Sequence, residues 1–324
     1  MRELTFVEAA REGLAEEMER DPRVFVVGQG IGARGGNFNT TLGLYDRFGP
    51  ERLRDVPIAE RGFVGMCTGA AATGARPVVD FMFVDFIADA FGELIHQTGK
   101  LQYMSNGRLK MPIVLRGCYG IGGAAATHHS GAYYSLFVHQ PGFRVAIPSN
   151  PADAKGLLKT AIRSDDPVFF LEHKSLLNTR GPVPDGEHLV PFGQARVVRA
   201  GGDATLVAIG NMVPRALAAG EALAADGIAV EVIDPRTVAP LDVDTILGSV
   251  EKTGRLLILE EDYAPCSVAS EIAAQVADRG FDLLDAPIKR LNTRPAPVPY
   301  SPPLEAALVP SPDDVVGAIR ALLR

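Results

Sequence analysis

Glu60 is the carboxylate whose neighbours most favour a chemical role. It follows the apolar segment VPIA and precedes RGFVG, between a strand-like stretch and a helix of small residues. Apolar neighbours that bury such a carboxyl would poise it to share a proton with a ligand. The alternative is a first-turn glutamate that the helix dipole favours, and the sequence leaves both interpretations open.

A histidine pair, His128 and His129, ends the glycine-rich loop GCYGIGGAAATHHSG at residues 117–131. Long loops that follow a strand in an α/β fold often carry the functional site. Adjacent side chains point in different directions, so at most one of the pair is expected at a reactive centre. The alternative is a histidine that hydrogen-bonds the backbone where a helix begins. The loop contains no Asp or Glu, which gives a metal site little support.

Two further motifs have weaker chemical meaning. Gly30, Gly32 and Gly35 have GxGxxG spacing, but the loop runs on through GNFNTT instead of opening a helix, so a dinucleotide site is not expected. The aromatic residues of DFMFVDF, which include Phe86, follow a predicted strand. Most such residues belong to a core, although one exposed ring would stack on a flat heterocycle.

The elements that must position these residues alternate regularly along the chain. Strands that are apolar throughout, separated by helical stretches, predict parallel sheets with helices on both faces. Strands are predicted at residues 24–27, 77–81, 112–115, 144–147, 168–171, 205–209, 229–233 and 256–259. Helices are predicted from Thr5, at 62–74, at 87–103, from Asn150, at 214–225, 243–250 and 268–279, and from Ser311. The predicted fold class is α/β, with two open, doubly wound domains.

A stretch rich in Pro, Gly and charge, NTRGPVPDGEHLVP, interrupts this pattern. Such composition is typical of a connection between domains. We therefore predict a first domain at residues 1–178, a linker at 179–191 and a second domain at 192–324.

Composition bounds the class of protein. The chain has 324 residues, 32 Lys and Arg against 39 Asp and Glu, and a net charge of −7, which disfavours nucleic acid or an anionic membrane as a partner. Three scattered cysteines, with no CxxC pair, indicate reduced thiols and not a disulfide frame. No secretory signal and no apolar run of the ~18 residues that a membrane span needs is visible. These features favour a cytoplasmic protein.

Several segments, taken in order, resemble one family across essentially the whole chain. They are RVFVVGQG, RLRDVPIAERGFVG, GAAATGARPVVDFMFVDF, KLQYMSNG, MPIVLRG, THHSG, PSNPADAKGLLKTAIRSDDPV and VEVIDPRTVAPLD. The chain resembles the beta subunit of the thiamine-diphosphate-dependent decarboxylating component of 2-oxo acid dehydrogenase complexes, a family that includes pyruvate, branched-chain and acetoin versions. Each segment alone is weak, but their order and spacing are specific.

The resemblance implies a transketolase-like fold, with a pyrimidine-binding domain before a transketolase C-terminal domain. Glu60 in PIAERGF matches the glutamate that hydrogen-bonds the aminopyrimidine ring of the cofactor, which promotes the imino tautomer and loss of the thiazolium proton. Phe86 matches the aromatic residue that packs on the pyrimidine. His129 in THHSG matches the active-site histidine near the reactive carbon and the lipoyl entrance.

The resemblance also implies partners and ions. Backbone carbonyls of five residues would hold a potassium ion, namely Ile113, Ala161, Ile162, Ser164 and Asp166. The GDG motif with a later Asn, which binds the diphosphate through magnesium in thiamine enzymes, is absent. Magnesium and half of the cofactor site are therefore expected from an alpha subunit in an α2β2 heterotetramer. A lipoyl-bearing acyltransferase would accept the acyl group.

The chain departs from the family pattern after the first predicted strand, and two rival functions stay open. Gln29 and Gly30 stand where the family usually has acidic residues, which leaves a proton-relay role of that acid in question. The segment FMFVDF and the dipeptide His173–Lys174 favour the acetoin-type branch of this family of oxidoreductases. The rivals are the C-terminal subunit of a split transketolase and a non-catalytic assembly subunit of the same fold.

Overall fold

The computed structural model describes residues 1–324 and divides into two compact units. The first comprises Met1–Tyr119 with Leu136–Phe192, and the second comprises Gly120–Ser135 with Gly193–Arg324. Each unit contains a mainly parallel sheet flanked by helices, so the predicted α/β class is confirmed. The predicted domain bounds stay a prediction, and the range 179–191 predicted as a linker includes a strand of the first unit.

The first unit has a parallel sheet and a separate antiparallel pair. Its strands are β1 (Arg2–Thr5), β2 (Val24–Gly28), β3 (Leu53–Asp55), β4 (Arg76–Phe83), β5 (Val114–Tyr119), β6 (Arg144–Ala146), β7 (Val168–His173) and β8 (Arg180–Val183). The α-helices are α1 (Phe6–Arg20), α2 (Leu44–Phe48), α3 (Glu60–Ala72), α4 (Phe91–Glu93), α5 (Leu101–Met104) and α7 (Pro151–Arg163), while α6 (Tyr134–Val138) includes the boundary between Ser135 and Leu136. The parallel strands follow the order β6-β7-β5-β4-β2-β3, and β1 pairs with β8.

Strands β5 and β7 are buried at every residue, which their apolar runs predict for a parallel sheet covered on both faces. The charged exceptions are Arg116 on β5 and Glu172 on β7, which lie on neighbouring strands two register positions apart. Arg116 Nη2 donates to Glu172 Oε1 at 2.8 Å, so each buried charge has a partner.

Two helices with predicted caps pack on each other beside this sheet. Thr5 and Glu8 form the predicted capping box of α1, with Thr5 N 2.8 Å from Glu8 Oε2. Asn150 caps α7 by accepting from the backbone N–H of Asp153 at 3.0 Å. At their contact the buried Glu17 accepts from Arg163 Nη2 at 2.6 Å. Local capping chemistry therefore sets where both helices begin.

The single helix predicted at 87–103 is wrong. The chain instead forms a 3₁₀-helix (Val84–Ala90), α4, a π-helix (Leu94–Thr98) and α5. Gly99 N donates to Leu94 O at 2.9 Å, which is the longer bond of a π turn. A Cβ at Gly99 would lie 2.8 Å from the ring of Phe143, so packing against that ring, which period counting does not detect, favours glycine at this position.

The second unit has a mixed sheet of order β14-β13-β10-β11-β9, in which only β9 is antiparallel to its neighbour. The strands of the second unit are β9 (Arg196–Arg199), β10 (Ala204–Ala208), β11 (Val230–Asp234), β12 (Thr237–Ala239), β13 (Leu256–Tyr263) and β14 (Lys289–Thr293), of which β12 does not belong to this sheet. Its α-helices are α8 (Met212–Ala224), α9 (Val243–Thr253), α10 (Val268–Gly280), α11 (Pro302–Leu308) and α12 (Pro312–Leu322). The predicted final helix is confirmed as α12, which Ser311 caps.

Two remaining properties bear on the expected class of protein. No helix of the chain is both long and apolar enough to cross a membrane. The three cysteines are free, with Cys67 and Cys118 buried and Cys266 exposed. Burial raises the pKa of the Cys67 thiol to about 12, which makes it a poor nucleophile.

Glu172→Gln tests the buried ion pair. Removing the carboxylate leaves the guanidinium of Arg116 buried without a compensating charge, so the free energy of unfolding is expected to fall by about 3–5 kcal/mol. Urea unfolding of the full chain measures this loss. Glu51→Gln, in the exposed pair of Glu51 with Arg54, is the control and should cost under about 1 kcal/mol. Equal small losses in both variants would contradict the assignment.

Candidate functional site

Glu60 is the first residue of α3 and is only 5% exposed. The helix dipole favours a carboxylate in this first turn. Oε1 accepts a hydrogen bond from Gln29 Nε2 at 2.9 Å, whereas no group of the chain donates to Oε2. The side chain therefore combines burial with one oxygen that is available to a ligand, which is the arrangement that the chemical interpretation requires.

Gln29 immediately follows β2 and is a contact that the sequence analysis missed. Its amide donates to Glu60 without carrying a charge or a titratable proton. A carboxylic acid at this position would make the same contact only while protonated. Gln29 therefore fixes the orientation of Glu60 and takes no part in a relay of protons.

Phe86 lies on the 3₁₀-helix Val84–Ala90, which packs against α3. Its ring is half-buried and meets the edge of Phe83 at a centroid distance of 5.9 Å, and Phe83 meets Phe38 at 5.1 Å. Glu60 and Phe86 thus lie on neighbouring elements of the first unit. An aromatic row that ends in a half-buried ring suits a flat heterocycle.

A sharp turn at Met82 directs this aromatic row out of the sheet. Met82 has a φ of 65°, where β4 loses register with β5. Its N–H donates to Asp80 Oδ1 at 2.8 Å, and Asp80 Oδ2 accepts from Thr40 Oγ1 at 2.9 Å. Arg116 Nη1 reaches the carbonyl of Thr40 at 3.5 Å. The buried ion pair is therefore linked to the turn that precedes Phe86.

His129 belongs to the second unit, at the end of a 3₁₀ turn (Thr127–His129). It is half-buried, whereas His128 is exposed, so the two rings have different surroundings as expected. His129 Nδ1 lies 3.3 Å from the carbonyl oxygen of Ala125. A carbonyl only accepts, so Nδ1 carries the hydrogen and Nε2 holds the lone pair of the neutral ring. A structural histidine would make the same contact, so the chemical role of His129 stays a prediction.

Three consecutive acidic residues lie near the end of strand β13 in the second unit. Glu260 is fully buried and accepts from the Ala269 N–H at 2.7 Å and from Asn292 Nδ2 at 3.2 Å. Burial raises the pKa of Glu260 to about 7, and it also raises the pKa of Asp262. Glu261 accepts from the backbone N–H of Ile121 in the loop that carries His129. No motif in the sequence indicated a role for this cluster.

The five carbonyls predicted for potassium already accept hydrogen bonds. Arg76 Nη1 donates to the carbonyls of Ile162 and Ser164, each at 3.0 Å. The other three accept from Val168 N (Ile113), Ser164 N (Ala161) and Ser164 Oγ (Asp166). A potassium ion would have to share two carbonyls with a guanidinium charge that repels it. The residues fit the ion poorly, and we derive no role for it.

No group of three or more His, Cys, Asp or Glu side chains is arranged to hold a metal ion. Glu60, Gln29 and Phe86 lie in the first unit, and the loop that carries His129 lies in the second.

Family models match almost the whole chain. The model described as "Transketolase, pyrimidine binding domain" matches residues 2–180, and "Transketolase, C-terminal domain" matches residues 193–315.

Individual relatives are similar over their full lengths. Acetoin:2,6-dichlorophenolindophenol oxidoreductase subunit beta of Bacillus subtilis (strain 168) is 44% identical, over 99% of this chain and 98% of that protein. Pyruvate dehydrogenase E1 component subunit beta of Rickettsia felis is 42% identical, over 98% of both. A solved structure named "Split gene transketolase, inactive beta4 tetramer" has a TM-score of 0.79, covers 98% of this chain and 97% of that chain, and is 23% identical, which shows the fold alone.

Potassium is expected to leave the stability of the chain unchanged. An ion bound at 100 times its Kd would add about 2.7 kcal/mol to the free energy of unfolding. Thermal unfolding in potassium chloride and in tetramethylammonium chloride at equal ionic strength should therefore coincide. Arg76→Gln removes the guanidinium and should make potassium more stabilising. Higher thermal stability of the wild-type chain in potassium chloride than in tetramethylammonium chloride would contradict this prediction.

Glu260→Gln is expected to gain stability over the wild type as the pH rises. The raised pKa means that folded Glu260 holds a proton that the unfolded chain has lost between about pH 4.5 and 7. Wild-type stability therefore falls through that window, by up to about 3 kcal/mol, since each pH unit is worth about 1.4 kcal/mol. Gln keeps the acceptor and does not titrate.

Urea unfolding at acid and alkaline pH measures the difference between the variant and the wild type. The exposed Glu221, changed to Gln, is the control and should show no such trend. A Glu260→Gln advantage that is independent of pH would refute the assignment.

Proposed function

Because the chain belongs to the beta subunits of the transketolase-like, thiamine-diphosphate-dependent 2-oxo acid and acetoin dehydrogenases, we propose that it supplies half of such an active site. The observation that carries the proposal is the buried Glu60, which leaves one carboxylate oxygen available. The name "subunit beta" of both relatives indicates a second kind of subunit. The other half of the site would come from an alpha subunit in an α2β2 heterotetramer.

The residues present fit thiamine diphosphate. Glu60 Oε2 is available to exchange a hydrogen bond with a ring nitrogen of the aminopyrimidine, and the half-buried Phe86 offers it an aromatic surface. When bound, the cofactor supplies a carbon that adds to the substrate carbonyl and takes up the electrons of the bond that breaks beside it. The diphosphate and its magnesium ion would be held mainly by the alpha subunit.

The chain's own groups would orient the ring and move protons. Glu60 shares a proton with the pyrimidine nitrogen, and Gln29 keeps its carboxylate in place. His129 holds its Nδ1 hydrogen on Ala125, so its Nε2 would accept or return a proton when the acyl group passes to lipoamide. The lipoamide would be carried by an acyltransferase partner.

The substrate is proposed to be acetoin or a 2-oxo acid, in the cytoplasm. The relatives that are 42–44% identical are named as an acetoin oxidoreductase and a pyruvate dehydrogenase, whereas the split transketolase is similar at 23% identity, so the dehydrogenase function fits better than the transketolase rival.

Glu60→Gln, co-expressed with the alpha subunit, is expected to lower kcat about 10²–10⁴-fold, the usual contribution of general acid–base catalysis. The assay follows cleavage of acetoin, pyruvate and branched-chain 2-oxo acids with an artificial electron acceptor. Glu51→Gln, on an exposed residue, is the matched control. Near-normal turnover by Glu60→Gln would rule out the assigned role.

The same preparation separates the rivals. Turnover of sugar phosphates in place of acetoin and 2-oxo acids would favour the transketolase function. Failure of the wild-type complex to bind thiamine diphosphate in calorimetry would favour a non-catalytic assembly subunit.

A further inference from the structure

The loop that carries His129 contains residues in strained backbone conformations. Ala124 and Ala126 have φ values of 52° and 60°, which non-glycine residues avoid, and Ala126 combines this φ with a ψ of −166°. A non-glycine residue held in such a conformation costs about 1–3 kcal/mol. Gly120 N donates to the Gly131 carbonyl oxygen at 3.0 Å across the base of the loop, whereas the His129 N–H lies 3.4 Å from the Ala126 carbonyl oxygen. Hydrogen bonds from outside the loop therefore add to its hold on this strained conformation.

Hydrogen-bond acceptors from the rest of the second unit hold the loop in this conformation. Glu305 Oε2 accepts from the N–H of Ala124 at 3.1 Å, at one of the two strained residues. Glu261 accepts from the N–H of Ile121, and the carbonyl of Val298 accepts from Thr127 Oγ1 at 2.9 Å. Hydrogen bonds to carboxylates are the stronger kind. The two glutamates thus hold the backbone on the approach to His129.

Glu305 is unusual among these acceptors because its burial is poorly compensated. It lies on the short helix α11 and is only 5% exposed. The bond from Ala124 is the one hydrogen bond that its carboxylate accepts, and Oε1 is buried without a partner. No cation of the chain pairs with it. A carboxylate buried in this way adds little to global stability, so its one contact points to a local task.

We propose that Glu305 is a positioning residue for His129, which acts through Ala124 and keeps the loop in its strained conformation. The inference rests on the proposed role of His129 in passing the acyl group to lipoamide. Glu305 and the loop both belong to the second unit, whereas Glu60 and Phe86 belong to the first. Loss of Glu305 should therefore impair acyl transfer more than cofactor binding.

The first test uses amide hydrogen exchange on the full chain. Glu305→Leu should speed exchange of peptides within residues 120–135 roughly tenfold or more, because a hydrogen bond to a charged acceptor is lost. Peptides from β10 serve as the internal reference, and the exposed Glu221→Leu as the matched control. Urea unfolding should show no loss of global stability in Glu305→Leu. An unchanged exchange rate in the loop would overturn the proposal.

The second test uses the complex with the alpha subunit. Glu305→Leu should lower kcat for transfer to a lipoyl acceptor at least tenfold. Turnover with an artificial electron acceptor and the KM for thiamine diphosphate should stay within twofold of the wild type. Equal losses in both assays, or no loss of transfer despite a loosened loop, would each overturn the positioning role.

Glu305→Gln keeps the test decisive if the leucine variant fails to assemble. Its amide oxygen still accepts from Ala124, so exchange and acyl transfer should each change by only about fivefold, the difference between charged and neutral acceptors. Effects as large as those of a full loss would contradict the proposal. A wild-type complex without any acyl transfer would refute the proposed function, whereas the exchange experiment judges Glu305 independently.

Discussion

The ion pair between Arg116 and Glu172 is the interaction on which the first unit depends. It joins two fully buried strands, where neither charge would be tolerated alone. Its guanidinium also reaches Thr40, which bonds Asp80, and Asp80 in turn fixes the turn at Met82. The aromatic row that ends in Phe86 leaves the sheet from that turn. A charge buried in the sheet is thus connected, bond by bond, to the surface expected to receive the cofactor.

Buried carboxylates recur throughout the molecule, and their partners decide what each can do. Glu172 has a guanidinium and is structural, whereas Glu60 has a neutral amide and keeps one oxygen available. Glu260 has only neutral donors, and its burial raises its pKa to about 7. Glu305 has a single backbone donor. The neighbours of each glutamate therefore set its character, which is that of an ion-pair partner at Glu172 and of a carboxyl with a raised pKa at Glu260, and they underlie the roles proposed for Glu60 and Glu305.

The sequence predicts what local chemistry determines. The alternation of apolar runs gave the α/β class, and the capping residues Thr5, Asn150 and Ser311 marked the start of three helices. The position of Glu60 before a small-residue helix singled it out. Local sequence patterns could not predict contacts between distant residues. Gln29 and Glu60 are 31 positions apart, and Ala124 and Glu305 are 181 positions apart. The glycine at position 99, in the broken helix after β4, likewise packs against the distant ring of Phe143, which no local pattern reveals.

The two alanines in the loop before His129 have a consequence for the loop when it is released. Glycine would take the same positive φ values without strain, but it would also sample many more conformations in any open state. Alanine therefore leaves these two positions fewer conformations to sample than glycine would, whereas Gly120, Gly122 and Gly123 of the same loop keep their conformational freedom.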